Sequence, residues 1–233
     1  MQMNNANTYH IPPINKILRP GLKPVFRGIF RTLARVRISG TENIPFGKPY
    51  VVAMNHVSMF DPPFVGAFWP EELEIIGASE VFEKPGQGLV LKAYGVIPVH
   101  RGDYDRVLLV KIVRILKAGL PLLIAPEGGR SHATAMNRAK PGVAYIIEQT
   151  GVPVVPVGLV GTTPDFFQRA RRRERPALEM RIGRPISLPE ITAKGAERHA
   201  MRQKNADLIM SHLAGLLPEE YRGVYAESAI LPA

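Results

Sequence analysis

Hydrophobic residues along this chain come in short runs of four to six, separated by longer stretches with helical spacing. Tyr50–Met54, Ile75–Ala78, Gly95–Val99, Leu122–Ala125, Val154–Leu159 and Leu178–Ile182 read as strands. The intervening patterns predict helices near 62–69, 80–93, 103–118, 141–150 and 196–216. Strands alternating with helices imply an α/β fold with a sheet covered by helices on both faces; the expected central sheet is mixed and largely parallel. No internal repeat is visible.

Residues 14–38 follow a different pattern. From Pro24 onward Val25, Ile29, Leu33 and Val36 fall at helical spacing, with Phe26 and Phe30 beside them. Arg27, Arg31 and Arg35 form a second stripe at four-residue intervals. A basic amphipathic helix of this kind suits an anionic membrane surface. The same pattern also describes an ordinary helix packed on the domain with a solvated basic face. The expected organisation is an N-terminal amphipathic segment over 1–35 and one folded domain over 36–233.

The first residues, MQMNNANTYHIPPIN, lack the basic and apolar regions of a signal peptide. The strongest membrane-span candidate, 107–125, carries Lys111, Arg114, Lys117, Gly119 and Pro121. Charges at a bilayer centre cost about 2.5–3.5 kcal/mol each. That stretch therefore reads as an amphipathic helix, a turn and a buried strand, and no transmembrane helix is expected.

Composition narrows the chemistry. With 45% apolar and 21% charged residues among 233, the chain has a globular balance. It has no cysteine, which excludes disulfide scaffolds, thiolate metal sites and a cysteine nucleophile. Thirty Lys+Arg against 20 Asp+Glu give a net charge of +10. Such an excess suits an anionic partner: nucleic acid, anionic lipid or a phosphorylated substrate. The densest basic block, Arg169–Arg175, follows Phe166 and Phe167. Basic residues beside aromatic ones are what a nucleic-acid binder requires, but no nucleic-acid motif accompanies them.

Four segments carry candidate chemistry. In Ala53–Pro63, directly after a strand, His56 and Asp61 are five residues apart. A carboxylate on one ring nitrogen fixes the tautomer and leaves the other nitrogen to act as a base. Asn55 is placed to hold the turn. No Gly-x-Ser-x-Gly elbow accompanies Ser58, so a covalent serine mechanism lacks support. The segment Ala125–Ser131, APEGGRS, offers a tight glycine turn with Glu127 and a permanently charged fork at Arg130. A strand ending in His100–Arg101 delivers Arg101 to the edge where open α/β sheets bind ligands. Val152–Gly158 reads as a proline-interrupted packing strand. Lys140–Ala144 places Pro141 and Gly142 at a helix start.

The order of these segments resembles the four blocks of the glycerolipid acyltransferase family, which includes the bacterial 1-acylglycerol-3-phosphate acyltransferases. The resemblance covers roughly residues 36–216 and rests on Asn55-His56-xxxx-Asp61, Gly95–Arg101, Pro126–Ser131 and Val152–Pro156. It implies a glycerol-phosphate acyltransferase-like fold. It also implies transfer of a fatty acyl group from acyl-CoA or acyl-ACP to the sn-2 hydroxyl of lysophosphatidic acid, making phosphatidic acid in phospholipid biosynthesis. Another acceptor, such as glycerol 3-phosphate, another lysophospholipid or an amino-acid lipid, is the alternative.

Carried over by position, His56 is the general base and Asp61 its partner. Asn55, Arg101, Glu127, Gly128, Gly129, Arg130 and Ser131 are the expected substrate-binding residues, with Arg101, Glu127, Gly128 and Arg130 at the acceptor's phosphoglycerol. No metal and no cofactor beyond the thioester co-substrate is implied. The implied partners are a lysophospholipid, an acyl thioester donor (CoA-linked or on acyl carrier protein) and an anionic membrane surface, at the cytoplasmic face as a peripheral protein, with no nucleic acid. Ala125 and Gly129 depart from the family's usual Phe and Thr.

Overall fold

A computed structural model describes residues 9–100, 105–131 and 133–232. Its strands are β1 (Arg35–Ser39), β2 (Val51–Met54), β3 (Glu74–Ala78), β4 (Ile97–Val99), β5 (Leu122–Ile124), β6 (Val154–Val160) and β7 (Ala177–Ile182). Its helices are α1 (Pro13–Leu33), α2 (Asp61–Phe68), α3 (Gln87–Tyr94), α4 (Arg106–Lys117), α5 (Gly142–Thr150), α6 (Phe166–Arg171), α7 (Gly195–Gly215) and α8 (Glu219–Arg222). One seven-stranded sheet runs in the order β1-β7-β6-β2-β5-β3-β4. The block β6-β2-β5-β3-β4 is parallel throughout; β7 runs antiparallel to β6, and β1 parallel to β7. The sheet is thus mixed and largely parallel, as expected.

Strands β2 and β6 read as near-continuous apolar runs because both faces of the sheet are covered. Their side chains divide by parity. Val52, Met54, Val155, Val157 and Leu159 join a core with Phe30 of α1, Phe64 of α2 and Phe166 of α6. Val51, Ala53 and Val154 join a second core with Ile112 of α4, Ile146 of α5 and Met210 of α7. Each core seals one face. Because the five strands of the block are parallel, their C-terminal ends share one edge of the sheet.

Three stretches differ from the sequence pattern. Val36 satisfies the helical spacing but also the alternation of Arg35–Ser39, and pairing with Leu178 of β7 decides for a strand. The single helix expected over 80–93 is broken at Pro85–Gly86, and only α3 remains α-helical. The arginine block begins with a short helix, α6, whose Phe166 is buried in the core. Beyond α6, Arg173 and Arg175 take positive φ values of 61° and 47°. That turn lets Arg175 donate to the Arg31 carbonyl at the end of α1, at 2.9 Å. The block is largely a helix cap, with Arg169 paired to Glu174 at 3.0 Å.

Helix α1 starts earlier than its pattern suggests and runs through Pro20 and Pro24. Each proline removes a backbone donor and crowds the preceding turn. Tertiary anchors offset this. Asn15 Nδ2 donates to the Lys92 and Ala93 carbonyls at the end of α3. Arg19 is buried and pairs with Glu74 of β3 at 2.5 Å, while Tyr9 donates to the same carboxylate at 2.6 Å. The helix therefore docks on the sheet directly ahead of β1, and the expected division at 35/36 falls in the first residues of that strand. The basic stripe is redistributed: Arg27 donates to the Ala67 carbonyl and Arg31 lies over the Phe68 ring. Phe30 faces the core, whereas Val25 (57% exposed) and Ile29 (44%) point outward with Ile14 and Ile17.

Replacing one member of a buried ion pair strands the other charge, at a cost of about 3–5 kcal/mol. Arg19→Ala should accordingly lower the thermal midpoint by many degrees. A midpoint within about 2 °C of wild type in differential scanning calorimetry would show that the pair does not hold α1 in place.

Candidate active site

The parallel block ends where β2 delivers its next two residues. Asn55 is fully buried, and its side-chain amide pairs with Leu159 of β6: Nδ2 donates to the carbonyl at 3.0 Å and Oδ1 accepts the N–H at 2.7 Å. This imitates one further rung of sheet pairing beyond Met54–Val157. The chain therefore leaves the sheet at a fixed point, and that point is His56.

His56 is braced on both sides of its Cα. Its N–H donates to Glu127 Oε1 at 3.0 Å, and its carbonyl accepts the Ser131 N–H at 2.8 Å. Its side chain meets Asp61, the first residue of α2, with Nδ1 2.8 Å from Oδ2. Asp61 is fully buried, and the same oxygen accepts the Val57 and Ser58 N–H groups at 2.8 and 2.7 Å. A carboxylate oxygen fixed this way is an acceptor, so the proton of a neutral imidazole sits on Nδ1. Nε2 is left with a free lone pair and no partner among the described residues.

The turn after β5 is tied to the same backbone. Gly128 has φ +72° and donates to the Ala125 carbonyl at 3.0 Å, a conformation that favours glycine. Glu127 is 5% exposed, and its second oxygen accepts the Asn137 N–H at 2.8 Å. Burial pushes its carboxyl above the usual range, while the Asn137 and His56 N–H groups pull it back. Arg130 is exposed and has no carboxylate within salt-bridge reach among the described residues. The Gly129 and Arg130 N–H groups likewise have no acceptor among the described residues.

The structure thus brings Asn55, His56, Asp61, Glu127, Gly128, Gly129, Arg130 and Ser131 to one edge of the sheet. Three of them use their side-chain polar groups within the protein. The polar groups of Asn55 and Glu127 are spent on backbone partners, and Ser131 Oγ donates inward to the Ala135 carbonyl at 2.7 Å. These side chains shape the site through contacts to the backbone of other segments. Arg101 lies outside the described residues.

A brace from the C-terminal residues leaves no mark in the sequence pattern. The Tyr221 hydroxyl accepts the Gly161 N–H beyond β6, and its carbonyl accepts the Met136 N–H. The Tyr225 hydroxyl accepts the Ala139 N–H and donates to Asp207 of α7. Gly223 has φ +53°, and a Cβ there would lie 2.1 Å from the Met136 carbonyl oxygen. Both tyrosines carry hydroxyl pKa values raised by burial. Two tyrosines four apart read only as a helix face, so nothing local reveals this contact.

Comparison with known proteins matches residues 35–160 to the acyltransferase family model. The chain belongs to the acyltransferase family. Among curated relatives, mouse 1-acyl-sn-glycerol-3-phosphate acyltransferase alpha is 27% identical over 163 residues, 68% of this chain and 57% of its own length. The human alpha enzyme is 30% identical over 142 residues, 60% of this chain and 50% of its own length. The 1-acyl-sn-glycerol-3-phosphate acyltransferase of Borreliella burgdorferi is 26% identical over 136 residues, 58% of this chain and 54% of its own length. The chain therefore spans little more than half the length of these relatives. The crystal structure of the 1-acyl-sn-glycerophosphate (LPA) acyltransferase PlsC from Thermotoga maritima superposes with a TM-score of 0.59 at 22% identity, covering 84% of this chain and 79% of that one. That likeness establishes the shared fold.

Because Ser131 Oγ donates inward to the Ala135 carbonyl, its hydroxyl should hold the loop rather than contact a substrate. Ser131→Ala should cost about 1 kcal/mol of stability in chemical denaturation. The KM values for both substrates should stay unchanged; a selective rise in one of them would return Ser131 to the binding surface.

Proposed function

We propose that this acyltransferase moves a fatty acyl group from a thioester of coenzyme A or acyl carrier protein onto the sn-2 hydroxyl of lysophosphatidic acid. The observation that carries the reading is the buried Asp61 carboxylate 2.8 Å from His56 Nδ1, which leaves Nε2 free to take a proton. The names of the curated relatives support the acceptor class.

In this reading Nε2 takes the proton of the acceptor hydroxyl as its oxygen bonds to the thioester carbonyl carbon. Asp61 stabilises the imidazolium that forms. Collapse of the tetrahedral intermediate breaks the C–S bond, and the imidazolium returns the proton to the leaving thiolate. The free Gly129 and Arg130 N–H groups are donors on hand for the developing oxyanion. The Arg130 guanidinium suits the acceptor's phosphate.

The reaction takes place, we propose, on the cytoplasmic face of a membrane with the protein bound peripherally. No helix among the described residues is long and apolar enough to cross a bilayer. The outward side chains Ile14, Ile17, Val25 and Ile29 of α1 form an apolar stripe flanked by exposed Lys16 and Arg31, as an interfacial helix requires.

A positioned base contributes about 10²–10⁴-fold, so His56→Ala should lower kcat at least about 100-fold with an unchanged circular dichroism spectrum. Near wild-type turnover by the folded variant in a radiolabelled acyl-transfer assay would refute the mechanism. The peripheral contact has its own check. The protein should float with anionic liposomes at low salt and release as salt rises, because screening weakens the electrostatic share. No flotation at low salt would remove the membrane-surface assignment.

A further inference from the structure

We propose that Lys140 is a second cation of the acceptor-phosphate site, acting beside Arg130; the inference rests on the acyl-transfer reading of that turn. Lys140 stands outside the Pro126–Ser131 block in sequence, at the start of the segment leading into α5, yet it lies against the turn in space. Its N–H donates to the Pro126 carbonyl at 2.8 Å, so its backbone is fixed to the turn's first residue. Its alkyl chain crosses Gly128 so closely that a Cβ there would lie 2.8 Å from Lys140 Cδ and 3.1 Å from Cε. The ammonium is one bond beyond Cε, on the Gly128 side of the turn.

Among the described residues the charge of Lys140 has no ion-pair partner. The residue is exposed, and no carboxylate among the described residues lies within salt-bridge reach of it. The acid of the turn itself, Glu127, is buried with both oxygens on backbone N–H groups. Arg130, as noted above, is in the same position. Two cations thus flank a turn that hangs from the backbone of His56 at Glu127 and at Ser131. A phosphate monoester carries close to two negative charges and several acceptor oxygens at neutral pH. One guanidinium and one ammonium match that charge, the first as a planar fork and the second as a compact point charge. The close approach also gives Gly128 a second reason to be glycine: a side chain there would push the lysine stem off the crest.

Lys140→Met tests this, because methionine keeps an unbranched apolar stem over Gly128 and removes only the charge. In steady-state acyl transfer the variant should raise KM for lysophosphatidate about 10- to 100-fold, the range for losing a hydrogen bond to a charged group. The thioester KM should not move, kcat should change by less than about threefold, and Lys140→Arg should restore most of the loss. Arg130→Ala should show the same selectivity. An unchanged acceptor KM in Lys140→Met, or equal effects on both substrates, would overturn the proposal. Calorimetric titration with a short-chain, monomeric lysophosphatidate gives a second readout that needs no turnover. Should the wild type bind this probe but fail to acylate it, the substrate reading fails while a weaker affinity of Lys140→Met still supports the cation site. Equal affinity of wild type and variant, or no binding to either, would overturn it.

Discussion

A parallel strand buried on both faces has to end somewhere, and its last polar groups must find partners away from water. Strand β2 meets this constraint with three neighbours at once. Asn55 pairs with Leu159 of β6, His56 donates to Glu127 beyond β5, and the His56 carbonyl takes the Ser131 N–H. The satisfaction of these groups is what places the imidazole. Its remaining freedom, rotation about the side chain, is removed by Asp61 at the start of α2. The positions of α2, the β5 turn and the end of β6 therefore all converge on one residue.

This division of labour explains why several motif residues are paired with backbone groups of other segments. Asn55, Glu127 and Ser131 are buried polar side chains, and each would be costly if unpaired. Their partners are backbone groups of other segments, which makes them braces. The polar groups at the site that have no partner among the described residues are His56 Nε2, the Arg130 guanidinium and the Gly129 and Arg130 N–H groups. The C-terminal tyrosines extend the bracing to the loop at Met136–Ala139, which lies inside the family-matched residues, from a segment that lies beyond them.

The basic excess resolves in the same way. Arg19 is buried against Glu74, Arg27 and Arg175 cap carbonyls, and Arg169 pairs with Glu174. Much of the charge that reads in sequence as a continuous anion-seeking surface is structural. What remains exposed at the site's turn is a smaller and more specific set. On α1 it is the apolar side, not the arginine stripe, that faces outward most clearly, because Phe30 and Arg19 claim the inner face.

Six of the seven strands were legible in the sequence, since a short apolar run bounded by turn residues is too brief for a helix and too apolar for a loop. The His56–Asp61 pair and the glycine turn stood out as candidates because each directly follows a strand, and the order of the four segments, in its resemblance to an acyltransferase family, is what singled them out. β1 was hidden: Val36 fits both a helical and an alternating period, and only pairing with β7 separates them. The path of α1 through two prolines was hidden too, since the anchors that hold it are on β3 and α3, more than fifty residues away. By itself the sequence determined which residue types could do acid–base and phosphate chemistry, and that they follow strands. Only the tertiary structure decided how they are placed, because burial and long-range hydrogen bonding, which no local pattern encodes, turn Asn55, Glu127 and Ser131 inward, leave His56 Nε2 without a partner among the described residues and leave Arg130 and Lys140 exposed.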